Sequence, residues 1–294
     1  MRGWWQDLAD LVLPADCGGC GRARAVLCPE CRAVLCGTVP RRVRPTPEPA
    51  GLPVVHAAAP YADEARAVLL AHKERGALGL ARPLGAALAG AVRAGERCSR
   101  AGSAGGVLMV PVPSSRRSVR ARGHDPARRI ACAAAAELRR TGTPARVVAA
   151  LRQRRAVADQ SGLGSRQRLA NLTYALEAVP GGARLLAGGG RLVLVDDLMT
   201  TGASLAEAAR AVRAAAPERG VRVERGVRVA GDAASDAYSA ATWAASAERR
   251  TEEAPAGVDR RRRVREKAGP GRSERVIHAA VIAAPPDAFE INRN

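Results

Sequence analysis

The pattern of apolar and polar positions divides the chain into short, fully apolar runs and longer amphipathic stretches. Leu192 to Val195 is a continuous apolar run, and Val107 to Pro113 is another. Runs of this kind predict strands buried on both faces of a parallel sheet. A third, shorter run at Val147 to Leu151 predicts a further strand, and strand character returns from Arg275 to Ala284. Helical spacing follows two of the runs, from Pro126 to Leu138 and from about Ser204 to Arg213. Alternation of strands and helices predicts an α/β fold. At the N-terminus Trp4, Trp5, Leu8, Leu11 and Val12 recur at helical spacing and predict a short amphipathic docking helix. Asp7 and Asp10 interrupt it, so it reads neither as a signal peptide nor as a helix lying on a membrane.

Composition adds size and charge. The chain has 294 residues with 47% hydrophobic content, enough for one large or two smaller domains with a true core. Only 2% of residues are aromatic. The formal charge is +19, and lysine occurs only at 73 and 267, so arginine carries almost all of it. A surplus of arginine predicts attraction to polyanions or to phosphorylated small molecules, and the position of the charge must decide between them. From 111 to 129 six Arg stand against one Asp, a local net of +5 at a strand end, where a turn could bind pyrophosphate. No segment approaches the ~20 apolar residues of a membrane span, and a cytoplasmic location is expected.

Five of seven cysteines fall within twenty residues: Cys17, Cys20, Cys28, Cys31 and Cys36. Cys17-Gly-Gly-Cys20 and Cys28-Pro-Glu-Cys31 form two knuckles, each aiming two thiolates at one point, and together they match the tetrahedral preference of structural Zn²⁺. Cys36 is an alternative ligand or the remnant of a second site. The expected organisation is a helix and zinc ribbon over 1–36, a Pro-rich linker over 37–53 and an α/β domain over 54–230. A low-complexity, Arg/Ala-rich stretch follows over 231–275, then a final strand and tail over 276–294. Within 249–275 ten basic residues stand against five acidic ones. Two readings stay open here: an insertion before a last sheet strand, or a tail following a strand at Val221 to Val229.

The segment with the most chemistry is Val195-Asp-Asp-Leu-Met-Thr-Thr-Gly-Ala-Ser204, where a strand passes through a polar turn into a helix. Open N–H groups of the turn and helix start attract a phosphate, Thr200, Thr201 and Ser204 add hydroxyls, and Gly202 admits close approach. Asp196 and Asp197 repel phosphate but accept hydrogen bonds from a diol or hold Mg²⁺ through water. Phosphate at one end and diol at the other describe a ribose 5-phosphate. Farther upstream, Arg152 to Asn171 is a long polar connection and a candidate active-site lid.

The turn closely resembles the 5-phosphoribosyl 1-pyrophosphate (PRPP) signature of type I phosphoribosyltransferases. Together with the cysteine knuckles, Tyr61, His72-Lys73-Glu-Arg75-Gly76, Pro111-Val-Pro113, Arg122-Gly123, Gln160-Ser-Gly-Leu163, Arg168 and Asn171, the chain over residues 1 to about 230 resembles the ComF family (competence protein F, GntX-like). The resemblance implies a zinc ribbon followed by a type I phosphoribosyltransferase-like parallel sheet. It also implies transfer of phosphoribosyl from PRPP to an acceptor with release of pyrophosphate, and a link to DNA uptake or nucleotide salvage. Asp196 and Asp197 would then be catalytic and bind ribose, while Thr200, Thr201, Gly202 and Ser204 hold the 5-phosphate. Arg116, Arg117, Arg122, Lys73 and Arg168 are the candidates for pyrophosphate, with Mg²⁺ accompanying PRPP. Where the family carries Arg-Gly-Phe-Asn-Gln this chain has Arg122-Gly123-His124-Asp125-Pro126. A rival expectation is an accessory protein without transferase activity that handles single-stranded DNA beside competence or helicase machinery.

Overall fold

The fully apolar runs become the centre of one sheet. The computed structural model describes residues 16–98, 106–155, 165–187, 190–215 and 277–289. The expected N-terminal helix, residues 156–164 of the candidate lid, the alternative strand at Val221 to Val229 and the segment 231–275 lie outside these residues. All described residues belong to one compact unit, formed by the chain before Glu218 and after Glu274. Among them no helix is long and apolar enough to cross a membrane.

The chain opens with α1 (Pro29–Cys36), β1 (Arg41–Val43), β2 (Val54–Pro60), α2 (Asp63–Lys73), α3 (Ala81–Cys98) and β3 (Val107–Pro111). It continues through α4 (Arg116–Arg122), α5 (Pro126–Arg140), β4 (Ala145–Val147), β5 (Leu151–Gln153), α6 (Ser165–Leu172), β6 (Leu176–Ala178) and α7 (Gly182–Ala187). β7 (Arg191–Leu198), α8 (Ala203–Ala215) and β8 (Ile277–Ala284) complete it. The main sheet has the order β1-β2-β8-β7-β3-β4, parallel except for β1 at its edge, and β5 and β6 form a separate antiparallel pair. The protein is thus a mixed α/β structure whose mostly parallel sheet is flanked by helices and accompanied by an N-terminal cysteine cluster.

Alternation along the central strands assigns the two faces. Met109, Val193, Val195, Ala280 and Ile282 pack with α2, α3 and α5 on one side. Leu108, Val110, Leu192, Leu194, Ala279 and Val281 pack with α8 and the β5–β6 pair on the other. The helices are amphipathic to match: α5 buries Ile130, Ala131, Ala134, Ala135 and Leu138, and begins with Asp125 as cap and Pro126 in its first turn. From β3 the chain moves outward to β4 by way of α5; from β7 it moves inward to β8 after α8. These steps run in opposite directions with their helices on opposite faces, as right-handed crossovers require. β3 and β7 are neighbours, so a crevice opens at their carboxyl ends, the place where open α/β sheets bind ligands.

Two local expectations differ from the structure. Residues 37–53 are not wholly linker, because Arg41–Val43 pairs with Val55–Ala57 of β2 and Val43 is buried. Val147 to Leu151 is not one strand but the break between two: Val147 ends β4 in the main sheet and Leu151 begins β5 in the small one. The Ala150 N–H bonds locally to the Val148 carbonyl, which lets the chain leave one sheet for the other.

Glu207 of α8 fastens β6 in place. Its carboxylate is buried, accepts the Leu176 N–H at 3.0 Å and pairs with Arg210, whose guanidinium also donates to the Leu176 carbonyl and covers Tyr174. Burial alone would raise the Glu207 pKa, but Arg210 and the Leu176 N–H outweigh it and hold the group below its ordinary 4.5. A depressed folded-state value stabilises the protein above the ordinary value, and this contribution is lost as pH falls through the folded-state one. Glu207→Gln should therefore cost about 1–2 kcal/mol at pH 7. In urea titrations at successive pH values that difference should shrink below pH 4.5.

Candidate active site and cysteine cluster

β7 carries its two acids to the crevice because both of its edges are hydrogen-bonded. Asp196 is in register with Val281 of β8, and Val195 with Pro111 of β3. Beyond the strand, the Met199 N–H donates to the Ala283 carbonyl at 3.0 Å, so the start of the turn is fixed too. Asp197 is buried and Asp196 half-buried, and the Asp197 N–H donates to Asp196 Oδ1 at 2.9 Å. Lys73, the last residue of α2, places Nζ 2.8 Å from Asp197 Oδ2. Desolvation opposes the charge on Lys73, but Asp197 and Asp196 overcome it and raise its pKa. One lysine does not satisfy two adjacent acids. Burial, followed by repulsion from Asp197, pushes the Asp196 carboxyl well above the usual carboxylate range despite the pull of Lys73.

The turn after β7 has the geometry of an anion cradle. Gly202 has φ +74°, and a Cβ there would lie 3.1 Å from both Leu52 methyls, so conformation and space both call for glycine. α8 starts at Ala203, and its first-turn N–H groups have no carbonyl of their own helix to meet. Thr200 is exposed at the rim, while Thr201 and Ser204 are half-buried. The Thr201 hydroxyl accepts the Ala203 N–H at 3.5 Å.

Across the crevice the chain leaving β3 forms the opposing wall. The Val112 N–H donates to the Val195 carbonyl at 2.9 Å, extending the pairing one residue past β3. Asp125 Oδ1 accepts from the Ser114 hydroxyl at 3.3 Å and from the Arg128 N–H at 3.2 Å, tying this loop to the start of α5. Arg122, at the end of α4, forks onto Glu74 at 3.1 and 2.8 Å, directly after Lys73. Buried His72 meets His124 edge-on, with ring centroids 5.6 Å apart. His72 Nδ1 faces the Ala77 carbonyl and His124 Nδ1 the Arg122 carbonyl; a carbonyl only accepts, so each Nδ1 carries the proton. Both Nε2 atoms are buried without a hydrogen-bond partner.

The structure thus brings Lys73, Asp196 and Asp197 into contact and sets Arg122 beside them through Glu74. Thr200, Thr201, Gly202 and Ser204 form the adjoining turn. Arg116 and Arg117 are exposed on α4, and the Arg168 side chain lies outside the described residues. The His72–His124 contact has no signal in the sequence, since the two residues are far apart and belong to different helix ends. The Glu207–Arg210 clamp, at i and i+3, could have been found from helical spacing.

The second candidate centre is the cysteine cluster. The Sγ atoms of Cys17, Cys20, Cys28 and Cys31 all lie within 4.8 Å of one another, positioned to bind a metal ion and compatible with structural Zn²⁺. Backbone donors support the sulfurs: the Cys28 N–H reaches Cys17 Sγ at 3.3 Å, and the Cys31 N–H reaches Cys28 Sγ at 3.5 Å. Burial works to raise the Cys17 thiol, but N–H groups of Cys28, Cys20 and Gly19 bring it down to about 6. Burial and the neighbouring thiols push Cys31 up instead. The site favours one thiolate and resists further negative charge, a conflict that a bound cation resolves. Gly19 is required here, because a Cβ would lie 2.6 Å from Cys31 Sγ. Cys36 stands apart, with its thiol directed at the Pro83 carbonyl.

Cys17, Cys28 and Cys31 share one apolar core with Val68 of α2 and with Leu84 of α3. Metal loading should consequently stabilise the α/β unit as a whole. Reduced protein should hold about one Zn²⁺ per chain by elemental analysis, and Cys31→Ser should lose it. The melting temperature should fall by at least about 5 °C in that variant.

No protein-family model matches the chain and no curated protein matches it significantly, so the functional reading rests on the residues and geometry described above.

Proposed function

We propose that the protein binds PRPP at the crevice between β3 and β7 and transfers its phosphoribosyl group to an acceptor, with release of pyrophosphate. The observation that carries this reading is a single continuous segment. Two acids at a strand end are followed without a break by a glycine turn and an open helix N-terminus, with Lys73 held on the second acid at 2.8 Å. The turn and helix start suit the 5-phosphate, and Thr200, Thr201 and Ser204 add hydroxyl donors. Asp196 and Asp197 suit the ribose diol. A sugar hydroxyl on Asp197 would release Lys73 from its ion pair and leave its ammonium for the pyrophosphate, with Arg122 next to it. The order of motifs is that of a ComF-like phosphoribosyltransferase with a zinc ribbon, the relationship that the sequence resemblance implies.

In this reaction the C1–O bond to pyrophosphate breaks and its electron pair leaves with the pyrophosphate. A lone pair of the acceptor forms the new bond to C1. The sugar passes through a cationic state, so positioning and electrostatics supply most of the acceleration. Bound Mg²⁺ would neutralise the departing pyrophosphate. Asp196 and Asp197 are the carboxylates that would hold the ion, through water.

A second reading, binding of single-stranded DNA beside competence or helicase machinery, draws on the exposed arginines Arg116, Arg117, Arg120, Arg128 and Arg129. The two readings separate in one titration. In the presence of Mg²⁺, replacing Asp196 and Asp197 together by Asn should weaken PRPP binding by roughly 100-fold, ~2.7 kcal/mol, without lowering the melting temperature. Unchanged PRPP affinity would refute the transferase reading. The DNA reading requires affinity for oligonucleotides that falls steeply with log[salt] and is indifferent to the aspartates.

A further inference from the structure

A cavity of about 320 Å³ opens between the chain leaving β3, α4 and the start of β5, and of the residues expected from the sequence to meet PRPP only Arg116 lines it. We propose that it seats the acceptor, and that the acceptor is a flat heterocycle bearing an acidic group; this assignment rests on the transferase reading. Its volume is in the range of small-molecule sites. Pro113, Val119 and Leu151 give it an apolar wall. Arg116 and Arg120, one helical turn apart on α4, supply two guanidiniums on the same side.

The positive charge of this cavity is only partly compensated, by the carboxylate of Asp125. Arg152 is shared with Glu177 at 2.9 Å, and Asp125 Oδ1 is engaged by Ser114 and the Arg128 N–H. Among the described residues no carboxylate pairs with Arg116 or Arg120. A carboxylate is the group such a pair holds best, by charge-assisted bonds from a planar donor fork. Gln153 adds an amide able to donate to or accept from a ring substituent. The apolar wall argues against pyrophosphate as the occupant, because a diphosphate gains nothing from three hydrocarbon side chains, whereas a planar ring buries a face on them.

Position ties the cavity to the chemistry. Its wall starts at Pro113, next to Val112, whose N–H bonds the carbonyl of Val195, the residue before Asp196. A ring nitrogen of the acceptor would direct its lone pair to C1. As the N–C1 bond forms, the C1–O electrons depart with pyrophosphate, and a proton on that nitrogen, where there is one, passes to water. Arg116 therefore serves the acceptor and not the pyrophosphate.

The test uses matched pairs that differ in one carboxylate: orotate against uracil, and nicotinate against nicotinamide. Binding is measured by calorimetry on the full chain with and without PRPP, and pyrophosphate release is measured in parallel. At least one acid should bind 30-fold or more tightly than its neutral counterpart and support pyrophosphate release. Arg116→Ala with Arg120→Ala should abolish that preference and leave PRPP affinity within about threefold. Equal binding of acid and neutral partner overturns the proposal. Loss of PRPP or pyrophosphate affinity in the double variant also overturns it, by making these arginines the pyrophosphate seat. If the wild-type chain never takes PRPP but holds the acid through these arginines, the transferase reading fails and the acceptor assignment falls with it, although the anion pocket stands.

Discussion

Everything proposed for this protein depends on β7 being held on four sides. Hydrogen bonds from β3 and β8 fix its edges, and apolar layers on each face of the sheet fix its height. A strand so constrained cannot slip by one residue without turning its apolar set inside out. Its last residues therefore arrive at the crevice in one register, and those residues are carboxylates. Two acids at the end of a dry strand are costly unless something answers them. Lys73 answers Asp197, while Asp196 is left with a strongly raised pKa. The free protein thus stores an unmet demand for hydrogen-bond donors or a cation, in the same turn that offers N–H groups to an anion.

The parts that answer this demand come from distant segments joined by packing. α2 ends with Lys73, and Glu74, which caps it, receives Arg122 from the end of α4. α2 also packs on the cysteine cluster, because Cys17, Cys28 and Cys31 belong to the core beneath it. The cluster is therefore no independent appendage. A metal there would brace the helix that delivers Lys73.

What the sequence disclosed and what it withheld follow from the range of the forces involved. Leu192 to Val195 reads as a buried strand because a parallel central strand is apolar on both faces, and the acids, turn and helix start come next in a contiguous segment. The four cysteines are equally local. The place of β8 between β2 and β7 was not legible, since it depends on pairing across the whole length from Leu198 to Ile277. β1 was hidden by its arginines and by the flanking Pro40 and Pro45; a strand at a sheet edge needs apolar residues on one side only, and Val43 alone supplies that. The His72–His124 contact and the cavity under α4 are products of tertiary packing, so composition marked the arginines but could not say which of them stand together.

The central claim is that the β3–β7 crevice is a sugar-phosphate site, and hydrogen–deuterium exchange on the metal-loaded chain tests it most directly. Addition of PRPP with Mg²⁺ should slow exchange at the amides of Thr200 to Ala206 and of Val112 to Asp125, with little change on α5 or at the β1 edge. Exchange at Thr200 to Ala206 that is unaltered at saturating PRPP would contradict the account.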